Sequence, residues 1–169
     1  MSDYGSFPLR RMRRLRSTSF VRTLRREHEL LASDLIYPVF FVDSESASDD
    51  IPSMPGIKRL GRRQLVETAE RCLDLGIAGL ALFPVIEPSL KTLDGQEAYN
   101  AQGLVPRTLQ LLKKQFPQLG LIADIALDPY TSHGHDGLVD ADGQVLNDET
   151  VAVLRRQALC YAKIGRAHV

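Results

Sequence analysis

Three apolar runs set at a regular pitch constrain this chain more than any other feature. "LIYPVFFV" (Leu35 to Val42), "IAGLALFPV" (Ile77 to Val85) and "LGLIADIAL" (Leu119 to Leu127) place apolar side chains at consecutive positions. A strand built from such a run is apolar on both faces, as parallel strands covered by helices are. Pro38 has to sit where its missing N–H is not needed. Between the runs lie segments of helical period. "RRQLVETAERCLDLG" puts Leu65, Val66, Ala69, Cys72 and Leu73 on one face and stops at Gly76, a residue suited to a left-handed C-terminal turn. "PRTLQLLKKQF" starts with Pro106 at a first-turn position, carries Lys113 and Lys114 in its last turn and is stopped by Pro117. "NDETVAVLRRQALCYAK" opens with Asn147 or Asp148 as cap, has Glu149 in the first turn and aligns Val151, Leu154, Ala158 and Tyr161. Strand–helix alternation of this kind predicts a parallel α/β sheet or barrel. The strands begin near Ile36, Ile77 and Gly120; eight units at that pitch need roughly 330 residues, within the usual range of a closed barrel. An open doubly wound sheet is the alternative, although "PVFFVDSES" lacks the glycines of a phosphate-binding first turn.

With 169 residues, 44% hydrophobic and 25% charged, the chain has the composition of one globular core. Cys72 and Cys160 are far apart and belong to no C-x-x-C pair, which argues against a disulfide framework or a thiolate zinc site and for a reducing cytoplasm. No apolar run reaches the roughly 18 residues of a membrane span, and no apolar signal core follows the N-terminal charges, so a cytoplasmic protein without a membrane partner is expected. The net charge of zero hides an asymmetry. Residues 1–30 hold eight arginines (Arg10, Arg11, Arg13, Arg14, Arg16, Arg22, Arg25, Arg26) against Asp3, Glu27 and Glu29, and the remainder is acidic. This basic N-terminal arm carries no nucleic-acid motif and only Tyr4, Phe7 and Phe20 as stacking residues. Docking on the acidic surface of a neighbouring subunit is the expected role, with no nucleic acid as partner.

The densest chemistry lies in "DIALDPYTSHGHDG", Asp124 to Gly137. Asp124 is expected inside the third strand and Asp128 to Gly137 after its carboxyl end, where parallel α/β folds assemble their sites. Period two places Asp124, Ala126 and Asp128 on one side, with Asp136 reaching in from the loop. Carboxylates gathered and partly desolvated suit general acid/base work or a hard cation. His133 and His135 read as a hydrogen-bonded loop element rather than a ligand pair.

At these residues the chain resembles the porphobilinogen synthase (5-aminolevulinate dehydratase) family, over essentially residues 7–163. The segments that carry the resemblance are "RLRSTSFVRTLRREHEL", "DLIYPVFFVD", "IPSMPGIKRL", "ALFPVI", "GQEAYNAQGL", "DIALDPYTSHGHDG" and "VLNDETV". It implies a TIM (β/α)8 barrel of which residues 31–169 supply about the first three βα units. The arm would then wrap a neighbouring subunit in a homo-oligomer, commonly an octamer. The implied activity is condensation of two 5-aminolevulinate molecules to porphobilinogen with loss of two waters, on the way to haem and other tetrapyrroles. Asp124, Asp128 and Asp136 are implied to lie in the active site, orienting substrate amines and assisting proton transfer.

The zinc-dependent branch of the family has cysteines where this chain has Ala126, Asp128 and Asp136. Carboxylates select hard cations where thiolates select zinc, so the resemblance is to the aspartate-rich, magnesium-responsive branch. Its Mg2+ is regulatory with ligands outside this chain, and zinc is not expected. The two lysines that form Schiff bases in the family belong to later strands, and none of Lys58, Lys91, Lys113, Lys114 and Lys163 matches them. This chain alone is therefore expected to be inactive. Ile164 to Val169 reads "IGRAHV", where the resemblance leads to a small-residue turn, and the same residues translate a short-read sequencing adapter. Residues 164–169 are thus expected to be foreign to the native protein. Two other readings stand beside the first: another Schiff-base barrel lyase or aldolase, and a non-catalytic fragment that only associates with full-length subunits.

Overall fold

The computed structural model describes Gly5, Pro8, Arg11 and residues 13–164. It divides into two compact units, Met1–Leu31 and Ala32–Val169. In the first, a turn of 3-10 helix (Arg14–Arg16) precedes a short helix α1 (Ser19–Leu24), which begins at Thr18, whose Oγ1 accepts a hydrogen bond from the Val21 N–H at 3.3 Å. Arg22 donates to the Arg16 carbonyl at 2.9 Å and Arg26 pairs with Glu29 at 3.3 Å. Arg10 and residues 165–169, including most of "IGRAHV", lie outside the described residues.

The second unit is an α/β fold. Its described residues form one sheet in the order β2 (Ser48–Asp50), β3 (Lys58–Leu60), β1 (Ile36–Val42), β4 (Gly79–Val85), β5 (Gly120–Ala123). Strands β3, β1, β4 and β5 run parallel, and β2 is antiparallel to β3. The sheet thus holds two short strands beyond the three expected. β3 meets β1 only at Phe40 and Phe41, leaving β1 as an edge at Pro38, where a missing N–H is tolerated.

Helices α2 (Arg62–Asp74), α3 (Leu104–Gln115) and α4 (Asn147–Ala162) pack on one face of the sheet. Val39 and Phe41, Leu80 and Leu82, Leu121 and Ala123 form a single core with Leu65, Ala69 and Cys72 of α2, Leu109 and Leu112 of α3, and Val153 and Tyr161 of α4. The alternate strand residues Phe40, Phe83 and Ile122 are only half-buried and stand outside that core. Phe40 and Phe83 pair across β1 and β4 with ring centroids 5.6 Å apart.

Helix α2 matches its predicted face, and Gly76 takes φ 76° as a left-handed stop. Helix α3 begins two residues before Pro106, which stands at its third position; the proline still falls among the first four residues, whose N–H groups have no intrahelical partner. Helix α4 is rotated from expectation. Its cap is Leu146, with Asn147 the first helical residue, and its buried residues are Thr150, Val153, Gln157 and Tyr161, whereas Val151 is exposed. The period-two expectation for Asp124, Ala126 and Asp128 also fails. β5 ends at Ala123, so Asp124 lies just past the strand, and Ala126 and Asp128 follow in the loop, where strand alternation no longer applies.

Candidate active site

Two loops meet at the carboxyl ends of β4 and β5. After β4 the chain makes a 3-10 turn at Pro88–Leu90, and Thr92 then pairs in parallel with Thr131. The Thr92 N–H donates to the Tyr130 carbonyl at 3.1 Å and the Ser132 N–H to the Thr92 carbonyl at 3.0 Å. This pairing holds the Lys91 segment against the aspartate-rich loop. On the same loop Asp94 accepts from Thr92 Oγ1 at 2.7 Å and from Gln96 Nε2 at 2.8 Å, and these bonds, Gln96's first, hold its carboxyl below the ordinary value.

After β5 the chain turns through Asp128 and Pro129. The Tyr130 and Thr131 N–H groups both donate to the Leu127 carbonyl, at 2.8 and 2.9 Å. The loop then returns. Asp136 Oδ1 accepts the Leu127 N–H at 2.7 Å, and Thr131 Oγ1 donates to the His135 carbonyl at 2.9 Å. His133 contacts the Leu93 carbonyl through Nε2 at 3.3 Å, and its Nδ1 accepts the His135 N–H at 3.2 Å. Both ring nitrogens serve the loop, as the sequence led us to expect. Gly137 is closely approached, since a Cβ there would meet Val145 Cγ1 at 3.1 Å and Thr150 Oγ1 at 3.2 Å and both side chains would have to shift.

Asp124, Asp128 and Asp136 are all exposed at this end of the sheet. Although Asp128 is exposed as a residue, partial desolvation of its carboxyl by the surrounding loop lifts it above the ordinary value, and the charge of Asp136 adds to the lift. Its own backbone N–H opposes the shift, Asp124 reinforces it and Lys91 opposes it. Asp136 is thus the carboxylate that Asp128 feels most. Two neighbouring acids, one held by a backbone N–H and the other biased toward its protonated form, can bind a cationic amine and carry a proton. A metal ion is a different matter. Among the described residues no group of three His, Cys, Asp or Glu side chains stands close enough to hold one. Burial raises both cysteine thiols, Cys72 and Cys160, above the ordinary value.

Sequence reasoning passed over two residues here. Lys91 is the lysine whose charge reaches Asp128; Lys58 pairs with Asp50 at 3.7 Å, and Lys113, Lys114 and Lys163 lie at the ends of α3 and α4. Its position in the loop after a parallel strand was the available signal. Gln157 is the second. It is fully buried on α4 and donates through Nε2 to the Ala126 carbonyl at 3.1 Å and to Tyr161 Oη at 3.2 Å. Tyr161 and Tyr130 share a hydrogen bond of 2.8 Å between their hydroxyls, and burial raises both phenols above the ordinary value, Tyr130 far above it. A polar residue at helical spacing between Val153 and Tyr161 was the sign.

The sequence model of the family described as "Delta-aminolevulinic acid dehydratase" matches residues 9–169. The delta-aminolevulinic acid dehydratase of Bradyrhizobium diazoefficiens is 50% identical over 155 residues, which cover 92% of this chain and 44% of that protein. The chloroplastic enzyme of Glycine max is 45% identical over 162 residues, covering 95% and 39%. Among solved structures, delta-aminolevulinic acid dehydratase (porphobilinogen synthase) from Toxoplasma gondii ME49, in complex with the reaction product porphobilinogen, superposes with a TM-score of 0.88 at 44% identity, over 92% of this chain and 44% of that one. The chain spans less than half the length of these relatives.

Proposed function

The chain belongs to the delta-aminolevulinic acid dehydratase family, and from that premise we propose that the complete protein condenses two 5-aminolevulinate molecules to porphobilinogen with loss of two waters. The observation that carries this reading is the aspartate loop at the carboxyl end of β5, with Asp136 anchored on the Leu127 N–H and the Asp128 carboxyl biased toward its protonated form. Asp124, Asp128 and Asp136 orient the substrate amines, and Asp128 exchanges the proton. The amines that form imines with the substrate ketones come from residues outside this chain. The one-sided helix layer and the half-buried Phe40, Phe83 and Ile122 support a TIM barrel, in which that second face becomes the interior.

Oxygen donors at Asp128 and Asp136, where the zinc branch has thiolates, support a magnesium response without a zinc requirement. Among the described residues no cluster of His, Cys, Asp or Glu forms a metal site; we place the ion's ligands elsewhere in the complete protein and assign no step to it here. The basic arm and acidic remainder support a homo-oligomer in which the arm engages a neighbouring subunit. No helix among the described residues is long and apolar enough to cross a membrane. The two free cysteines suit a reducing compartment, for which we propose the cytoplasm, although the Glycine max relative is chloroplastic.

The test uses the complete protein with 5-aminolevulinate. Porphobilinogen is measured after chelation and re-addition of each metal, and mass by light scattering with and without Met1–Arg26. Product restored by magnesium, a fall of about 10²–10⁴-fold in kcat for Asp128→Asn, and a smaller assembly without the arm are expected. Absence of product from the wild-type protein overturns the reading, and recovery with zinc alone overturns the metal assignment.

A further inference from the structure

Residue 157 is polar where hydrocarbon is the stable choice. Gln157 has no exposed surface, and its Oε1 has no hydrogen-bond partner among the described residues. Leaving a buried acceptor without a partner is destabilising, a cost an apolar side chain of similar size avoids. The amide is kept for its donor, and the donor is aimed at one place. Nε2 reaches the carbonyl of Ala126 from helix α4, across thirty-one positions of sequence.

The peptide that bears this carbonyl also bears the Leu127 N–H, which donates to Asp136 Oδ1 at 2.7 Å. A peptide unit is one rigid plane, so the Ala126–Leu127 unit is gripped from both ends, by Gln157 at its oxygen and by Asp136 at its nitrogen. A donor on the carbonyl oxygen also polarises the unit and strengthens its N–H as a donor. The next residue in the chain is Asp128. On the far side of its turn, Tyr130 is tied through its hydroxyl to Tyr161, one helical turn beyond Gln157 on the same face of α4. Helix α4 thus holds the Asp128 turn before and after the aspartate.

We propose that Gln157 is a positioning residue: through the Ala126–Leu127 peptide it sets where Asp136 and Asp128 stand relative to each other, with Tyr161 and Tyr130 bracing the turn. This deepens the proposed function and rests on it for its catalytic consequence. The structural half does not depend on that activity. Gln157 touches neither carboxylate, so its removal should leave the charged groups around Asp128, namely Asp136, Asp124 and Lys91, in place while loosening their arrangement.

The experiment compares wild type, Gln157→Met and Gln157→Glu in the complete protein. Methionine keeps the length and removes the donor; a buried glutamate is held neutral and can donate its O–H to the Ala126 carbonyl. Amide exchange at Leu127, followed by NMR or by mass spectrometry of the peptide spanning it, should speed up at least tenfold in Gln157→Met and recover in part in Gln157→Glu. With 5-aminolevulinate as substrate, kcat should fall about 10–100-fold in Gln157→Met, the size seen when outer-shell partners of a site are removed. KM should change little, and Gln157→Glu should recover part of the rate. Unchanged exchange at Leu127 in Gln157→Met overturns the proposal, as does an equal loss in both variants that merely follows a fall in thermal stability. If wild type makes no porphobilinogen while Leu127 protection still depends on residue 157, the proposed function fails and the positioning role stands.

Discussion

The two faces of the sheet are built from the same apolar runs and end in different environments. Phe41 and Phe40 are chain neighbours on β1, yet Phe41 is 1% exposed beneath the helices while Phe40 is half-buried on the face that no described helix covers. Leu82 and Phe83 divide in the same way on β4. The covered face is packed by helices α2, α3 and α4 of this chain. The other face has the hydrophobicity of a core without the partners of one, and the chemistry gathers beside the same sheet, in the loops at its carboxyl end. The packed core thus lies on one face of the strands, and the aspartate loop to which we assign the chemistry lies past their carboxyl ends.

The sharpest way to break this comparison is to truncate one residue on each face. Phe41→Ala should cost this chain about 3–5 kcal/mol, the usual range for a buried phenylalanine. Phe83→Ala should cost less than about 1 kcal/mol here, because little of its surroundings is packed. In the complete protein the Phe83 value should climb toward the Phe41 value if the open face is a barrel interior. Urea unfolding of both variants in both chains reads the difference. Equal costs in this chain would show that the two faces are packed alike.

A second contrast sharpens it. The chain by itself should associate and bind a hydrophobic dye through Phe40, Phe83 and Ile122, and Phe83→Lys should lower the dye signal several-fold. Three parallel strands alone would also leave two bare edges; instead β3 covers part of β1 and β2 continues the sheet beyond β3, while β5 remains an open edge among the described residues. Incubated with 5-aminolevulinate and borohydride, the same chain should give neither porphobilinogen nor an imine adduct, on Lys91 or any other lysine. Turnover with an adduct would place a nucleophile within these residues.

How much of this was legible in the sequence depended on whether periodicity was present. β1, α2 and β4 were readable because long apolar or amphipathic runs leave little choice of phase. β2 and β3 were not, since "SDD" and "KRL" show no apolar alternation and pair only through tertiary placement. The sequence extends β5 too far because Ile125 to Leu127 are apolar like a strand, although they lie in a loop that buries Ala126 and Leu127. In α4 the phase was chosen by apolar residues. The actual stripe runs through Thr150 and Gln157, and a polar residue kept inside for a hydrogen bond cannot be told from a surface one by period alone. The aspartates were found by residue type. Their anchoring, one peptide shared between Gln157 and Asp136, needed the coordinates.

The smallest expected effect tests whether the carboxyl-end loops trade stability for chemistry. The Asp128 carboxyl is lifted in the folded chain by partial desolvation first and by Asp136 second, so folding makes it a weaker acid than it is unfolded. The folded state then binds its proton more tightly than the unfolded state does. Stability from this group is present in full below the unfolded value, about 3.9 for an aspartate, and declines as pH rises through the window up to the folded value. Above that window the wild-type chain carries a standing penalty that Asp128→Asn lacks. At pH 7 the variant should therefore be slightly more stable than wild type, with the gain shrinking toward nothing as pH drops below about 4. Since Asp128 is exposed, water screens the effect and keeps it small. Urea midpoints for both chains between pH 4 and pH 8 supply the check. A variant less stable than wild type at pH 7 would mean that Asp128 is held as a stabilising anion, and the proton-carrying role assigned to it would fall with that finding.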